Sequence, residues 1–188
     1  MGNVSSVRFS LQVEGALGDL GIKQADGVLT REEASGTVEL DLGSGLIEYE
    51  VVIAGGTFYV KGPTGGFQTV PSFLSSQIYD PTQFLDPDTG FAAVLADATD
   101  AKTVAAESVE GTPGYRVEAR IPTALLEGVV PLSPGQQDAP ASLWIGRTEP
   151  VLLRVRVESR PEGASASTTL TLTLTDPNLT VRITPPPE

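Results

Sequence analysis

Apolar and polar residues alternate along much of this chain. The alternation is clearest at 7–14 (VRFSLQVE), 37–42 (TVELDL), 115–121 (YRVEARI) and 168–175 (TTLTLTLT). Because successive side chains of a strand point to opposite faces, a period of two is typical of a sheet with one dry face and one hydrated face. The pattern predicts roughly nine strands in one continuous antiparallel meander, since turn signals separate consecutive segments.

Two longer stretches predict several strands each. Residues 46–62 (LIEYEVVIAGGTFYVKG) indicate two strands joined at Gly55-Gly56, because a glycine pair is typical of a two-residue hairpin turn. Residues 151–183 indicate three strands, the last of them after a turn at 176–178. The chain is therefore predicted to form strand up to a proline-rich end.

Residues 72–97 interrupt the alternation. Asp80 precedes Pro81, and Asp86 precedes Pro87. Asp is a favoured N-cap and Pro suits the first helical position, so each pair marks a predicted helix start. After Gly90, apolar residues recur at i, i+3, i+4 and i+7, the spacing of one helix face; they are Phe91, Val94, Leu95 and Ala98.

A second interruption is found at 121–132 (IPTALLEGVVPL), where Pro122 stands at a predicted helix start. Its apolar residues are Leu125, Leu126, Val129 and Val130. Both interrupting segments are too short to be stable helices by themselves, so they must pack on the sheet.

Charge narrows the classes of function. The chain of 188 residues has 12 Lys and Arg against 24 Asp and Glu, a net charge of −12. Nucleic-acid binding depends on clustered Lys and Arg facing phosphates, so we expect no nucleic-acid partner.

The absence of two residue types narrows the chemistry further. The chain has no Cys and no His, which removes disulfides, thiol nucleophiles and the Ser-His-Asp triad. Asp86, Asp88 and Asp97 have the spacing of positions 1, 3 and 12 of a calcium loop, but Phe91 replaces the glycine that the loop needs at position 6. Asp86 and Asp88 are better interpreted as helix caps. We therefore predict no metal and no cofactor, and the residue types disfavour an enzyme while leaving a pair of carboxylates as candidate catalytic groups.

The apolar face of the predicted sheet must be covered. The covering helices are short, and the alanines of 92–98 fill little volume. Either the sheet curls tightly around a dry core, or it stays open and leaves a cavity for an apolar ligand between sheet and helices. The alternation does not decide between these two outcomes.

Several segments resemble one known family. The stretch YDPTQFLDPDTGFAAVL (79–95) resembles the central motif of the LppX/LprG family of actinobacterial lipid-carrying lipoproteins. Four other segments resemble family segments in the same order, and the likeness covers nearly the whole chain; they are GTVEL (36–40), GGTFYVKG (55–62), SVEGTPGYRVEARIP (108–122) and TVRITPP (180–186).

The resemblance implies an α+β fold over residues 1–188 as a single domain. In it, one strongly curved antiparallel sheet, a half-barrel, carries short helices on its concave face and encloses a hydrophobic cavity. The ligand implied is a lipid or glycolipid with two or three acyl chains. The resemblance also implies a monomer outside the cytoplasm, tethered to the outer face of the plasma membrane by an acylated N-terminal Cys. That Cys is absent here, and we interpret Met1-Gly2 as replacing a precursor segment.

We therefore predict binding and transport of acylated lipids or glycolipids across the cell envelope without catalysis, with a membrane transporter as a further candidate partner. The alternative is an interaction or scaffold module of the envelope with the same fold and a collapsed cavity. An acidic hydrolase ranks last. The predicted cavity residues are Phe84, Leu85, Phe91, Val94, Leu95, Leu125, Leu126 and Val129 on the helical side, and Val38, Leu40, Val117, Val155, Leu170 and Leu172 on the sheet.

Overall fold

A computed structural model of the chain describes residues 3–15, 21–71, 84–86, 90–122, 138–159 and 167–187. Within these ranges the structure consists of eleven strands and one helix of six residues. In chain order they are β1 (Ser6–Glu14), β2 (Ile22–Thr30), β3 (Ala34–Asp41), β4 (Leu46–Ala54), β5 (Thr57–Lys61), β6 (Gln68–Thr69), α1 (Phe91–Ala96), β7 (Thr99–Val109), β8 (Thr112–Pro122), β9 (Asp138–Gly146), β10 (Leu152–Ser159) and β11 (Thr168–Thr175).

All eleven strands form one antiparallel sheet, in the order β6-β5-β4-β3-β2-β1-β11-β10-β9-β8-β7. The sheet is strongly curved and does not close into a barrel, which confirms the predicted class of fold. Two details of the prediction were wrong. The strands number eleven rather than nine, and they form two meanders rather than one. The first runs outward from β1 to β6, the second runs from β7 back to β11, and β11 pairs with β1.

Hairpin turns explain most of the local pairing. The predicted β4–β5 hairpin is confirmed, with φ of 57° at Gly55 and 71° at Gly56. Positive φ at both central residues is the type I′ pattern, whose twist matches that of the flanking strands. Glu110 and Gly111 repeat it between β7 and β8, with φ of 47° and 83°.

The end of the chain departs from the prediction. Strand β11 is followed by a turn at Asp176, and the structure assigns no strand to 176–187. Asn178 instead fastens this segment to the start of β1: its amide oxygen accepts a hydrogen bond from the Ser5 N–H at 2.9 Å, and its own N–H donates to the Ser6 carbonyl at 2.8 Å. The predicted last strand was wrong because these contacts take the place of a regular ladder.

The helix begins later than predicted. Gly90 is the N-cap of α1 and makes no side-chain cap, whereas the backbone carbonyl of Asp86 accepts the Gly90 N–H at 3.0 Å, one turn earlier. Asp86 is therefore not the residue that starts this helix. Pro122, predicted to start another, is the last residue of β8 and pairs with Asp138. The remaining predicted caps, at Asp80, Pro81, Pro87 and Asp88, lie outside the described residues.

The helix packs its predicted face onto the apolar side of the sheet. Phe91 and Val94 are buried, and Leu95 is partly buried against the same core. The Phe91 ring stacks on Phe84 with centroids 5.0 Å apart. Burying a side chain of this size is worth about 1.5–3 kcal/mol, so tertiary packing rather than helix propensity holds so short a helix.

A pair of facing glycines lies where β2 meets β3. A Cβ at Gly27 would overlap the Ser35 carbonyl oxygen, and one at Gly36 would overlap the Asp26 carbonyl oxygen. The two backbones are therefore closer here than any side chain permits. Glycines inside strands typically mark bends of a curved sheet, and the Phe9 ring lies next to Gly27.

Candidate functional site

The two halves of the sheet bury their apolar face to different extents. We call strands β8–β11 the C-terminal wing and strands β2–β5 the N-terminal wing. In the C-terminal wing most of the apolar face is packed: Ile121 and Val155 are 0% exposed and Leu170 is 2% exposed, and exposure rises only toward Tyr115, at 41%. This face belongs to the core that also contains Phe84 and Phe91.

The same face of the N-terminal wing is buried at one end only. There, Leu29, Ala34 and Ile53 lie side by side on β2, β3 and β4 and are buried. Further along, every cross-strand pair is only half-buried. The half-buried rows are Gly36 with Val51 and Val60, Val38 with Tyr49, and Leu40 with Ile47 and Ile22.

The open end of this wing is the hairpin that joins β3 to β4. Its two leucines are exposed, Leu42 by 52% and Leu46 by 58%. Asp41 shapes the turn, because its carboxylate accepts the Gly43 N–H at 2.9 Å. The apolar face of the N-terminal wing thus passes from a closed end to an open one. We call the half-buried part, lined by Val38, Leu40, Ile47, Tyr49, Val51 and Val60, the open apolar strip.

Such a strip attracts apolar ligands without any charged group. Removing apolar surface from water is worth about 25 cal/mol per Å², and the effect has no directional requirement. It therefore suits long flexible chains better than small polar substrates.

The structure distributes the predicted cavity residues over both wings. Leu95 and Val117 are partly buried against the core, whereas Val38 and Leu40 lie apart from it in the open apolar strip. Leu125, Leu126 and Val129 lie outside the described residues. The others are buried together in the core: Phe84, Leu85, Phe91, Val94, Val155, Leu170 and Leu172.

Sequence reasoning missed most of the open apolar strip. It named Val38 and Leu40 but not Tyr49, Val51 or Val60, which pair with the same rows. A signal was available, because 47–51 (IEYEV) alternates strictly between apolar and acidic residues. The alternation alone does not show that β4 pairs with β3, and that pairing is what places these residues in the same rows as Val38 and Leu40.

The opposite, polar face of the C-terminal wing carries a side-chain network. The Trp144 Nε1–H donates to Glu107 Oε2 at 2.8 Å, and Glu107 also pairs with Arg116 at 3.2 Å. The Ser142 hydroxyl donates to Glu118 at 3.0 Å. Arg116 Nε lies 3.3 Å from Glu118 Oε1, but at an angle that makes the contact electrostatic rather than a hydrogen bond.

The arginines of β10 are also paired. Arg154 lies 3.4 Å from Glu110, and Arg156 lies 3.4 Å from Glu158. These arginines form part of a hydrated face on which they balance acidic neighbours. Exposed pairs of this kind are worth about 0–1 kcal/mol each.

Over the described ranges, no three Asp or Glu side chains converge as a metal site would require. The same residues include no helix with the length and apolarity to cross a bilayer.

Comparison with solved structures identifies the architecture. LprF from Mycobacterium bovis superimposes with a TM-score of 0.85 over 98% of this chain and 90% of its own, at 22% identity. The lipoprotein LppX from Mycobacterium tuberculosis does so with a TM-score of 0.67 over 97% of this chain and 91% of its own, at 19% identity. The fold is thus that of mycobacterial lipoproteins with an open, curved sheet.

Sequence comparison then gives the family. The profile of the LppX_LprAFG lipoprotein family matches residues 1–183, and the chain belongs to that family. The lipoarabinomannan carrier protein LprG of Mycolicibacterium smegmatis is 31% identical over 83% of this chain and 67% of its own length. Its counterpart from Mycobacterium tuberculosis is 32% identical over 77% of this chain and 61% of its own.

Family membership bears on several predictions at once. It associates the chain with the cell envelope, because the family is one of lipoproteins. The curated relatives are named as carriers rather than enzymes. Those names make a lipid or glycolipid the class of partner to test.

Proposed function

We propose that residues 1–188 act as one domain that binds acylated lipids or glycolipids and carries them across the cell envelope without catalysis. The observation that carries this proposal is the open apolar strip. It offers a half-buried aliphatic surface that continues into the packed core. Acyl chains fit such a surface because each buried CH₂ is worth about 0.8 kcal/mol.

The relatives support the ligand class. Two of them are named lipoarabinomannan carrier proteins, and this chain spans 61–67% of their length. From their names we apply only the ligand class to this chain, namely a lipid with a sugar-bearing head group. A cargo with two or three acyl chains, a monomeric carrier, a membrane transporter as partner and a tether to the outer face of the plasma membrane are parts of the same proposal.

Both layers contribute to the proposed binding site. The chains would enter at the exposed end of the N-terminal wing and extend toward the aromatic pair of Phe84 and Phe91. The proposed lining adds Tyr49, Val51 and Val60 to the residues expected from the sequence, which are Phe84, Leu85, Phe91, Val94, Leu95, Leu125, Leu126, Val129, Val38, Leu40, Val117, Val155, Leu170 and Leu172.

The experiment places a carboxylate in the open apolar strip. Val38→Asp is expected to weaken binding of a fluorescent diacyl phospholipid by about tenfold or more, because an acyl chain covering the new charge would strip its hydration. Native mass spectrometry after gentle purification should show less co-purified lipid than for the unsubstituted chain.

Val52→Asp is the matched control. Val52 is also half-buried, but it lies on the opposite face of β4 and pairs with Ser35 and Tyr59. Equal binding by Val38→Asp and the unsubstituted chain, with both folded by circular dichroism, would remove the strip from the site. Absence of any lipid binding, together with a tight protein partner in a pull-down, would favour the scaffold alternative.

A further inference from the structure

A groove of about 540 Å³ opens on the polar face of the sheet, opposite the open apolar strip. Its size falls within the range of about 300–1,000 Å³ that is typical of small-molecule sites. Its floor is formed by β1, β2, β10 and β11, and Glu110 from the β7–β8 turn forms one wall. Most of its floor residues are half-buried rather than fully exposed.

The floor is a regular array of hydrogen-bonding groups. Asp26, Ser10, Thr173 and Arg154 lie in register on four adjacent strands, as Asp26 pairs with Ser10, Ser10 with Thr173, and Thr173 with Arg154. Neighbouring strands lie about 4.8 Å apart, so carboxylate, hydroxyl, hydroxyl and guanidinium follow one another at that interval. The next two rows add Gln12 with Thr171 and Arg8 with Thr175.

Arg154 is held in place from three sides. Its Nε–H donates to Thr173 Oγ1 at 3.0 Å, an Nη lies 3.4 Å from Glu110, and its Cζ lies 5.8 Å from the centre of the Trp144 ring. Trp144 is itself anchored by Glu107. A guanidinium has five N–H donors, so donors remain for a ligand after these contacts.

Charge selects the kind of ligand. The groove is lined by two arginines, Arg8 and Arg154, and two carboxylates, Asp26 and Glu110, and is therefore neutral on a chain of net charge −12. Both arginines are already paired, Arg8 with Asp176 at 3.3 Å. An anion would therefore find no free cationic partner here, and the carboxylate of Asp26, which forms no ion pair among the described residues, accepts a hydrogen bond from Gln24 Nε2 at 2.7 Å.

Uncharged hydrogen-bonding groups, by contrast, are in surplus. In the part of the chain that the structure describes, the side chains of Ser10, Gln12, Thr171 and Thr175 make no hydrogen bond to protein. Together they supply hydroxyl and amide donors and acceptors. An array of this kind fits a ligand that bears many neutral hydroxyls at short, regular spacing, as linked sugar rings do.

We propose that this groove is a saccharide-binding site, separate from the site for acyl chains. The sugar is either the head of a carried glycolipid or a free envelope glycan. The groove stands on the opposite face of the sheet from the open apolar strip, so binding of a free glycan does not depend on the function proposed above, whereas binding of a glycolipid head rests on it.

The test uses a sugar without acyl chains. Calorimetric titration of the chain with deacylated arabinomannan is expected to show saturable binding. Arg154→Gln should weaken it by about tenfold or more, because hydrogen bonds to charged groups are worth about 1.5–3 kcal/mol. Arg156→Gln is the matched control, since Arg156 is on the same strand and the same face, is paired with Glu158, and is not part of the groove.

Ser10→Ala, a smaller change in the floor, should weaken binding about threefold to tenfold. Inorganic phosphate should neither bind nor compete. Lipoarabinomannan, which keeps its acyl chains, distinguishes the two sources of sugar. If the groove holds the head of a carried lipid, lipoarabinomannan binds more tightly than the deacylated form, and Arg154→Gln loses part of that affinity. If the groove binds a free glycan, the acylated and deacylated forms have equal affinities for the groove. No saturable sugar binding, equal effects of Arg154→Gln and Arg156→Gln, or displacement by phosphate would overturn the assignment.

Discussion

The N-terminal and C-terminal wings share one sequence pattern but meet different surroundings. Residues 47–51 (IEYEV) and 169–175 (TLTLTLT) both alternate strictly, yet Leu170 is buried and Tyr49 is half-buried. The helix and the Phe84–Phe91 stack belong to the core that the C-terminal wing shares with only the closed end of the N-terminal wing. Alternation thus indicates which face of a strand is apolar, whereas coverage by other elements decides whether that face is core or binding surface.

The largest effect is expected where the cover of the C-terminal wing is removed. Phe91→Ala should lower the free energy of unfolding by about 3–5 kcal/mol, because a ring that is 1% exposed is lost and a cavity remains. Urea denaturation measures this loss of free energy of unfolding. Leu42→Ala, at an exposed position, is the control, and its free energy of unfolding should stay within about 0.5 kcal/mol of that of the unsubstituted chain. A loss below about 1 kcal/mol for Phe91→Ala would mean that α1 does not cover the core.

One substitution made in both wings tests the comparison directly. Leu170→Ala should cost about 2–5 kcal/mol, because Leu170 is buried among large side chains. Leu40→Ala, in the open apolar strip, should cost only about 1 kcal/mol, since partial exposure reduces both the transfer and the cavity contributions. Equal losses in urea titrations would show that the N-terminal wing is packed as closely as the C-terminal one.

The glycine pair on β2 and β3 tests what lets the two backbones approach within the N-terminal wing. Gly36→Ala should cost about 1–3 kcal/mol, because its Cβ would meet the Asp26 carbonyl oxygen and force the backbones apart. Gly66→Ala, where a Cβ meets nothing within 4 Å, should be within about 0.5 kcal/mol. Thermal unfolding of the two variants gives the comparison, and similar melting temperatures would argue against a close approach at Gly36.

The smallest effect is expected on the polar face. Glu107→Gln keeps an acceptor for Trp144 but removes the ion pair with Arg116, and should cost less than about 1 kcal/mol. Lys61→Gln, which breaks the exposed pair with Glu50 in the N-terminal wing, should cost no more. Both losses should shrink at high salt. A salt-independent loss of several kcal/mol would show that the network is a buried structural element instead.

Sequence reasoning succeeded where local chemistry is decisive. The Gly55-Gly56 hairpin and the apolar face of α1 were predicted correctly, since turn conformation and helical spacing are local properties. It failed at 179–183, where contacts from Asn178 replace a strand. There a good local signal lost to contacts with the start of β1, residues far away in the chain.

The alternation of residues by itself determined that this chain forms an antiparallel sheet with one apolar face, because side-chain direction in a strand depends only on position. Only the tertiary structure decided that β1 pairs with β11, that Phe91 covers one wing and that the rows of Val38 and Leu40 remain half-buried. The pairing of distant strands and the placement of a short helix depend on contacts between residues far apart in the chain, and an alternating pattern does not encode which partner covers it.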